Sequence, residues 1–410
     1  MAPKMTAIER FKKICAFELK DDPFMWSVDA WNETFDRWAS EGMPVKNLDN
    51  KKEVNIHLIG PDEQNEGIIP KAAIGGLGKN NNPPWIVAID PMFEPTLISE
   101  DEEHIVEVDY DGAIVRRRKQ GDATIPQFLE YPVKDKKSWE EYKKRLDPFS
   151  AGRWPQDWEI MTDEKLTFPM KPEHAGKHYK YRDFPLGMNL LSLFGNLRQY
   201  MGIENLSLCI YDDISLVEEM MEWQTYIALE MVKKVFKSGV TLEWVWLWED
   251  MAYNKASLVS PAFVKKYMVP RYKKVVEVLK ENKVDALVLD CDGNTDELLP
   301  IWVDCGINAI YPVERAAGND PIQMRKQFGK NLIVFGGVDK RELAKGGSAI
   351  DGQLDMIKEM IKHSGYFPNC DHHITPDTSY ENIVYFMNGL RKLSKHDDNP
   401  RVIVPGVRNW

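Results

Sequence analysis

From about residue 185 onward, short apolar runs alternate with longer amphipathic ones, and this alternation constrains the fold more than any other feature of the chain. The apolar runs are MNLLSLFG, LSLCIYDD, VTLEWVWLWED, VDALVLDCDG, NAIYPVER, NLIVFGGVD and GYFPNCDHHI. Helical stretches such as SLVEEMMEWQTYIALEMVKKVFKSG and SPAFVKKYMVPRYKKVVEVLKEN lie between most of them. A strand that is apolar on both faces must be covered on both. Strand–helix alternation supplies that cover as a parallel sheet wrapped in helices. Seven such units, with one or more strands among residues 54–90, predict an α/β fold of the (β/α)8 TIM-barrel type. A doubly wound sheet is the alternative, disfavoured because no GxGxxG follows a strand.

The whole chain, 1–410, is expected to form one barrel domain. Residues 1–50 carry N-terminal helices in FKKICAFE and DAWNETFDRWASEG, the second closed by Gly42 and Pro44. Residues 100–150 read as an insertion. EHIVEVDYDGAIVRRRK is a hairpin turned at Asp111-Gly112, and KDKKSWEEYKKRLDP is an exposed helix with a solvated charged face. Residues 185–395 supply most of the barrel. The formal net charge of −11 argues against nucleic acid or an anionic membrane as a partner. No apolar run reaches the roughly 18 residues that a membrane helix needs. The first twenty residues are charged and amphipathic and lack the apolar core of a signal peptide. Five cysteines with no CxxC pair suggest reduced thiols, and a cytoplasmic protein is expected.

A barrel of this kind places its chemistry at the C-terminal ends of the strands. Those ends read Glu249-Asp250, Asp290-Cys291-Asp292, Glu314-Arg315, Gly336-Gly337-Val338-Asp339 and Cys370-Asp371-His372-His373. Side chains alternate along a strand, so Ala286, Val288, Asp290 and Asp292 share one face. With the small residues filling the interior, both aspartates point at the barrel mouth. By the same alternation Glu243, Val245, Leu247 and Glu249 share a face, and Trp244, Trp246 and Trp248 are expected to pack under the outer helices. Carboxylates and imidazole converging on one dry cavity repel or desolvate one another unless a cation sits among them. Oxygen and imidazole ligands suit a catalytic zinc or a similar divalent metal. The competing reading of each acidic strand end is a helix cap or a turn former. Asn294 or Thr295 could cap the helix after Asp292, and Asp339 the helix KRELAKG. Cys291 and Cys305 read as small buried apolar residues.

The segment DCDGNTDELLPIWVDCGINAIYPVERAAGNDPIQMRKQFGKNLIVFGGVDKREL, followed by FPNCDHHITPDTSYEN, resembles the uroporphyrinogen decarboxylase superfamily. The motifs Gly-Gly-Val-Asp-Lys (336–340) and His-x-x-x-Pro (372–376), with the Asn382 that follows, carry the resemblance. The superfamily has the (β/α)8 fold and includes the cobalamin-dependent methyltransferases. Its porphyrinogen decarboxylases bear the signature Arg-Gln-Ala-Gly-Arg-Tyr, whose arginines hold substrate carboxylates. This chain lacks that signature, and the comparable region MWSVDAWNETFDRWASEG offers one Arg among several acids. The methyltransferases bear a zinc motif, His-x-Cys-Gly-Asn, and a later Cys. Here Asp290 stands at the His, Asp292 at the Cys, and Gly293 and Asn294 match directly. His372 falls at the later Cys, with Cys370 as a rival.

The resemblance therefore implies metal ligands Asp290, Asp292 and His372, with Glu249 as a fourth ligand or a general acid. It makes Glu249 and Asp290 the catalytic pair and Tyr311 and Glu314 the residues that orient substrate. Exchanging thiolate for carboxylate favours polarising an ether or hydroxyl oxygen over activating a thiol. The implied enzyme is a cobalamin-dependent methyltransferase, an O-demethylase component. It would demethylate a methoxylated aromatic substrate and pass the methyl group to the Co(I) corrinoid of a partner protein. Zinc, or a similar divalent metal, is the expected cofactor. The chain has no cobalamin-binding Asp-x-His-x-x-Gly, so the corrinoid is expected on that partner. A homodimer is the assembly to test. The alternatives are a uroporphyrinogen-type decarboxylase and a non-catalytic tetrapyrrole-binding scaffold.

Overall fold

The structure is a computed structural model, and it describes residues 5–24, 30–43, 89–119, 126–150, 185 and 187–394. Four short strands form an antiparallel sheet: β1 Thr96–Glu100, β2 His104–Val108, β3 Ile114–Arg118 and β4 Gln127–Glu130, in that order. The β2–β3 register runs from Val108 opposite Ile114 to His104 opposite Arg118. Asp109 fixes the turn between them, because its Oδ1 accepts from the N–H groups of Asp111 and Ala113 at 2.9 and 3.1 Å. The helix Lys136–Lys143 follows, capped by Asp135. Its lysines and glutamates face solvent, but Trp139 and Tyr142 are buried and seat the helix on the rest of the molecule.

Six strands form a parallel sheet in strict chain order: β5 Gly187–Leu191, β6 Trp244–Trp248, β7 Ala286–Asp290, β8 Ala309–Tyr311, β9 Ile333–Phe335 and β10 Tyr366–Phe367. Helices run between the strands, the longest being Ile214–Lys237 between β5 and β6. Adjacent parallel strands can be hydrogen-bonded in this way only if the chain crosses back over the sheet each time. The fold is thus α/β with a helix-covered parallel sheet. Residues 51–88, which include nearly all of the segment expected to hold further strands, lie outside the described residues.

Register settles which side chains share a face. Trp244 pairs with Ala286, Trp246 with Val288 and Trp248 with Asp290; Val288 and Asp290 in turn pair with Ala309 and Tyr311. One face therefore carries Trp244, Ala286, Val288, Ala309, Ile333, Phe335 and Phe367, which cluster with Phe11, Ile14, Phe17 and Phe24. The other face carries Val245, Leu247, Leu287, Leu289, Ile310 and Val334, buried in the larger core with the helices. The tryptophans of β6 accordingly sit on the face of the small residues, not under the outer helices as their sequence had suggested. Volume accounts for it: alanines and a valine on β7 and β8 leave room that indole rings fill.

A second apolar run also departs from expectation. LSLCIYDD is not a strand; it lies in the helix Ile203–Asp212, between Gly202 and the cap residue Asp213. In that helix Leu206 is buried while Leu208 and Tyr211 are exposed. The run is one-sided, as a surface helix requires. At the N-terminus, the helix Ala7–Cys15 starts in a capping box of Thr6 and Glu9. Its end is tied to the start of β10, where the Gly365 N–H donates to the Ile14 carbonyl at 3.1 Å. Among the described residues, no helix is long and apolar enough to cross a membrane.

Candidate metal centre

β7 is buried at every position, yet it ends on Asp290, which is 5% exposed. Its neighbour β6 leads into Asp250, and two residues past β7 comes Asp292. A carboxylate oxygen from each of Asp250, Asp290 and Asp292 lies within 4.8 Å of the others. Among the described residues, this is the group of acidic, histidine or cysteine side chains gathered closely enough to hold a metal ion.

Each carboxylate is aimed by a different partner. The Trp246 indole N–H donates to Asp290 Oδ2 at 2.8 Å. Arg198 reaches Asp250 Oδ2 at 3.1 Å and the Asp250 carbonyl at 3.0 Å, with its guanidinium 5.1 Å from the Trp248 ring centre. Asp250 Oδ1 accepts the Asp292 N–H at 3.0 Å. His372 Nε2 lies 3.3 Å from Asp292 Oδ2. Trp31 stands against both histidines that follow β10, 5.9 Å from His372 and 4.9 Å from His373, centre to centre.

Backbone geometry holds the group together. Asp250 has φ +43° and Val313, after β8, φ +63°; such values are uncommon for side-chain-bearing residues and gather at functional sites. Gly293 has φ +81°, and a Cβ there would lie 2.7 Å from the Ala252 carbonyl carbon. Only glycine lets the chain after Asp292 turn this tightly against the loop after β6.

Charge follows from burial and crowding. Burial raises the Asp290 carboxyl well above its usual value, and the neighbouring charges of Asp250 and Asp292 add to it. Asp250 is raised too, by burial and then by Asp292, against the pull of Arg198. For His372, burial opposes the charged form, but the hydrogen bond and charge of Asp292 outweigh it and raise the imidazole. Three crowded carboxylates beside one guanidinium and one imidazole form a group that could hold a cation. Their hard oxygen donors fit a divalent ion.

The other residues singled out in the sequence occupy distinct places. Glu249 lies on the opposite face of β6. Its Oε1 and Oε2 accept the Leu193 N–H at 2.9 and 3.1 Å, Oε2 accepts the Phe194 N–H at 2.7 Å, and Oε1 accepts the Tyr272 hydroxyl at 2.8 Å. Burial pushes its carboxyl up to about 7. Tyr311 has its ring 4.8 Å from that of Trp246, beside Asp290. Glu314 Oε2 accepts the Gly293 N–H at 3.0 Å and so props the turn after Asp292. Asp339 caps the helix Lys340–Lys345 and forms a bidentate pair with Arg341. Asp371 accepts from the backbone of Arg315 and Lys340, joining the ends of β8, β9 and β10. Cys291, Cys305 and Cys370 are buried in the large core. Asn294 and Thr295 cap no helix; they bond to Ala317 and Asn319 across the rim.

Asp250, Arg198 and Trp246 were not among the residues assigned a role from sequence. The expectation that the β6 tryptophans pack outward favours Glu249; Asp250 shares their parity and falls with them on the face of Asp290. The available signal was the adjacent Glu-Asp pair itself.

Residues 177–393 match the uroporphyrinogen decarboxylase (URO-D) family. A uroporphyrinogen decarboxylase from Maricaulis maris (strain MCS10) is 24% identical over 138 residues, which are 33% of this chain and 39% of that relative. The aligned region thus spans about two fifths of the curated relative. Among solved structures, a methyltransferase from Methanosarcina mazei aligns over 95% of this chain and 99% of its own, with a TM-score of 0.55 at 14% identity. At that identity the likeness is one of fold. With the family match running through more than half of its length, the chain belongs to the uroporphyrinogen decarboxylase family.

Proposed function

We propose that the protein is a methyltransferase that demethylates a methoxylated aromatic compound and passes the methyl group to the Co(I) corrinoid of a partner protein, in the cytoplasm. The observation that supports this most is the trio of crowded carboxylates, Asp250, Asp290 and Asp292, at the C-terminal ends of β6 and β7. We take the parallel sheet to close as a (β/α)8 barrel through residues of the 54–90 segment, with these carboxylates at its mouth. In this reading the three aspartates hold a divalent cation, zinc first among candidates. Such an ion, when bound, supplies Lewis acidity toward the ether oxygen of a methyl donor.

The chain's own residues do the rest. Arg198 and Trp246 fix the Asp250 and Asp290 carboxylates before any ion arrives, so little reorganisation is needed on binding. Trp246 and Tyr311 form an aromatic wall beside Asp290, suited to a flat substrate ring. His372, its proton-bound form favoured by Asp292, can hold a proton at Nε2 for the phenolic oxygen left when the methyl departs. We therefore place His372 beside the ligand set, hydrogen-bonded to Asp292. Glu249 becomes a strut, since its oxygens are engaged by Leu193, Phe194 and Tyr272.

A decarboxylase reading is favoured by the name of the Maricaulis maris relative. A rim of three carboxylates opposes it, since a polycarboxylate substrate would be repelled there. One assay separates the two. With free reduced cobalamin and a panel of methoxybenzenes, the protein should yield the phenol and methylated cobalamin, and leave methanol and methylamines unchanged. Carbon dioxide release from a carboxylated porphyrinogen, with no corrinoid present, would instead establish the decarboxylase. Equal demethylation of a betaine before and after metal removal would sink the aryl-ether reading.

A further inference from the structure

The other end of the parallel sheet holds a cavity of about 300 Å3. It lies where the Gly329–Lys330 turn leads into β9 and where His363 precedes β10, so it faces away from carboxylates that follow β6 and β7. Its apolar lining is Phe17, Ile322 and Met360, and its rim carries Lys20, Lys326 and Lys330. All three lysines are exposed, and among the described residues none pairs with a carboxylate. On the adjoining helix Ser348–His363, by contrast, Lys358 and Lys362 are paired with Asp355 and Glu359. Glu359 is the one acidic residue lining the cavity. Its oxygens are already 2.8 Å from Lys362 Nζ and 3.5 Å from His363 Nε2.

Arg325 stands in the wall and is only 8% exposed. Its guanidinium donates to the carbonyls of Gly329, Leu332 and Gly365, the last two at 2.7 Å, and lies 4.8 Å from the Phe17 ring centre. No carboxylate neutralises it among the described residues, and its Nε–H has no hydrogen-bond partner. A buried cation that meets only neutral carbonyls keeps its full charge, and low-dielectric surroundings screen that charge weakly. In a chain of formal charge −11, the rim of this cavity gathers positive charge.

We propose that this cavity binds a small amphipathic anion, its charged head held by Lys20, Lys326 and Lys330 and its apolar body on Phe17, Ile322 and Met360. The volume falls at the lower end of the roughly 300–1,000 Å3 usual for small-molecule clefts, which suits a medium-length chain or a single ring. A carboxylate or a phosphate monoester head would meet the same lysines. The site is independent of the carboxylate centre and of the reaction proposed there.

Isothermal titration of the full chain with octanoate, octyl phosphate, 1-octanol and inorganic phosphate tests it. One octanoate or octyl phosphate should bind per chain, at least about tenfold more tightly than octanol or inorganic phosphate. The tighter of the two anions identifies the head group. Lys326→Glu with Lys330→Glu should weaken that binding at least about tenfold, and Lys330→Gln by a smaller factor. Both are exposed positions, and the melting temperature and zinc uptake should stay at wild-type values. Octanol binding as well as octanoate, inorganic phosphate reproducing the whole affinity, or a double variant that binds like wild type would each overturn the assignment.

Discussion

At the residue scale, burial raises the carboxyls of Asp290 and Asp250, and neighbouring carboxylates raise both further, against the pull of Arg198 on Asp250. A carboxyl raised in the fold binds its proton more tightly folded than unfolded. The metal-free protein should therefore lose stability as pH rises from the ordinary carboxylate range through the raised one. A divalent ion reverses the sign, because it binds the deprotonated trio and stabilises by about 2.7 kcal/mol at a hundredfold excess over its Kd. Thermal melts between about pH 5 and 8 should thus fall with pH without metal, and rise with pH when zinc is present. Asp290→Asn should flatten the first slope and abolish the second. A zinc-induced stabilisation that is the same at every pH would count against carboxylate ligation. Asp292 has a side chain 38% exposed and little packing to lose. Asp292→Ala should change metal-free stability by no more than about 0.5 kcal/mol while removing zinc binding, as dialysis against the ion would show.

At the element scale, the two faces of β6 have separate duties, and two substitutions tell them apart. Glu249→Ala leaves the Leu193 and Phe194 N–H groups and the Tyr272 hydroxyl without an acceptor in a buried setting. It should cost about 2–4 kcal/mol of stability by denaturant titration, while the folded fraction still takes up zinc. Gly293→Ala acts on the turn instead. Its φ of +81° and the crowding Ala252 carbonyl should cost about 1–3 kcal/mol and displace Asp292, so zinc affinity falls as well. Retained affinity in Gly293→Ala would show that the turn does not aim Asp292. The sequence made part of this readable. The run LVLD ending β7, with Ala286 and Val288 on the inner side, pointed to Asp290 and Asp292 at the rim. It hid Asp250, because Asp250 shares the parity of the β6 tryptophans, whose expected face was the outer one. It also misplaced the β6 tryptophans, since which face of a doubly buried strand is interior depends on the volumes opposite it.

At the scale of the whole molecule, strand–helix alternation was enough to read a parallel α/β sheet, because the strands from β6 to β10 are continuous apolar runs but for the Asp290 that ends β7. LSLCIYDD shows the limit of that reading: an apolar run of eight residues fits a strand or a one-sided helix equally well. The strands expected in 54–90 lie mostly beyond the described residues, and the barrel closure built on them is part of the proposal. What unites the sheet and the chemistry is that three carboxylates from two neighbouring strand ends meet within 4.8 Å. The most direct test is a metal count by elemental analysis on the purified protein, beside Asp250→Ala, Asp290→Ala and Asp292→Ala, each after loading with zinc and exhaustive dialysis. The expected result is about one zinc per chain in the wild type and almost none in any variant that melts cooperatively. A wild type that retains no metal, or variants that retain as much as the wild type, would contradict the assignment of this trio as the metal centre.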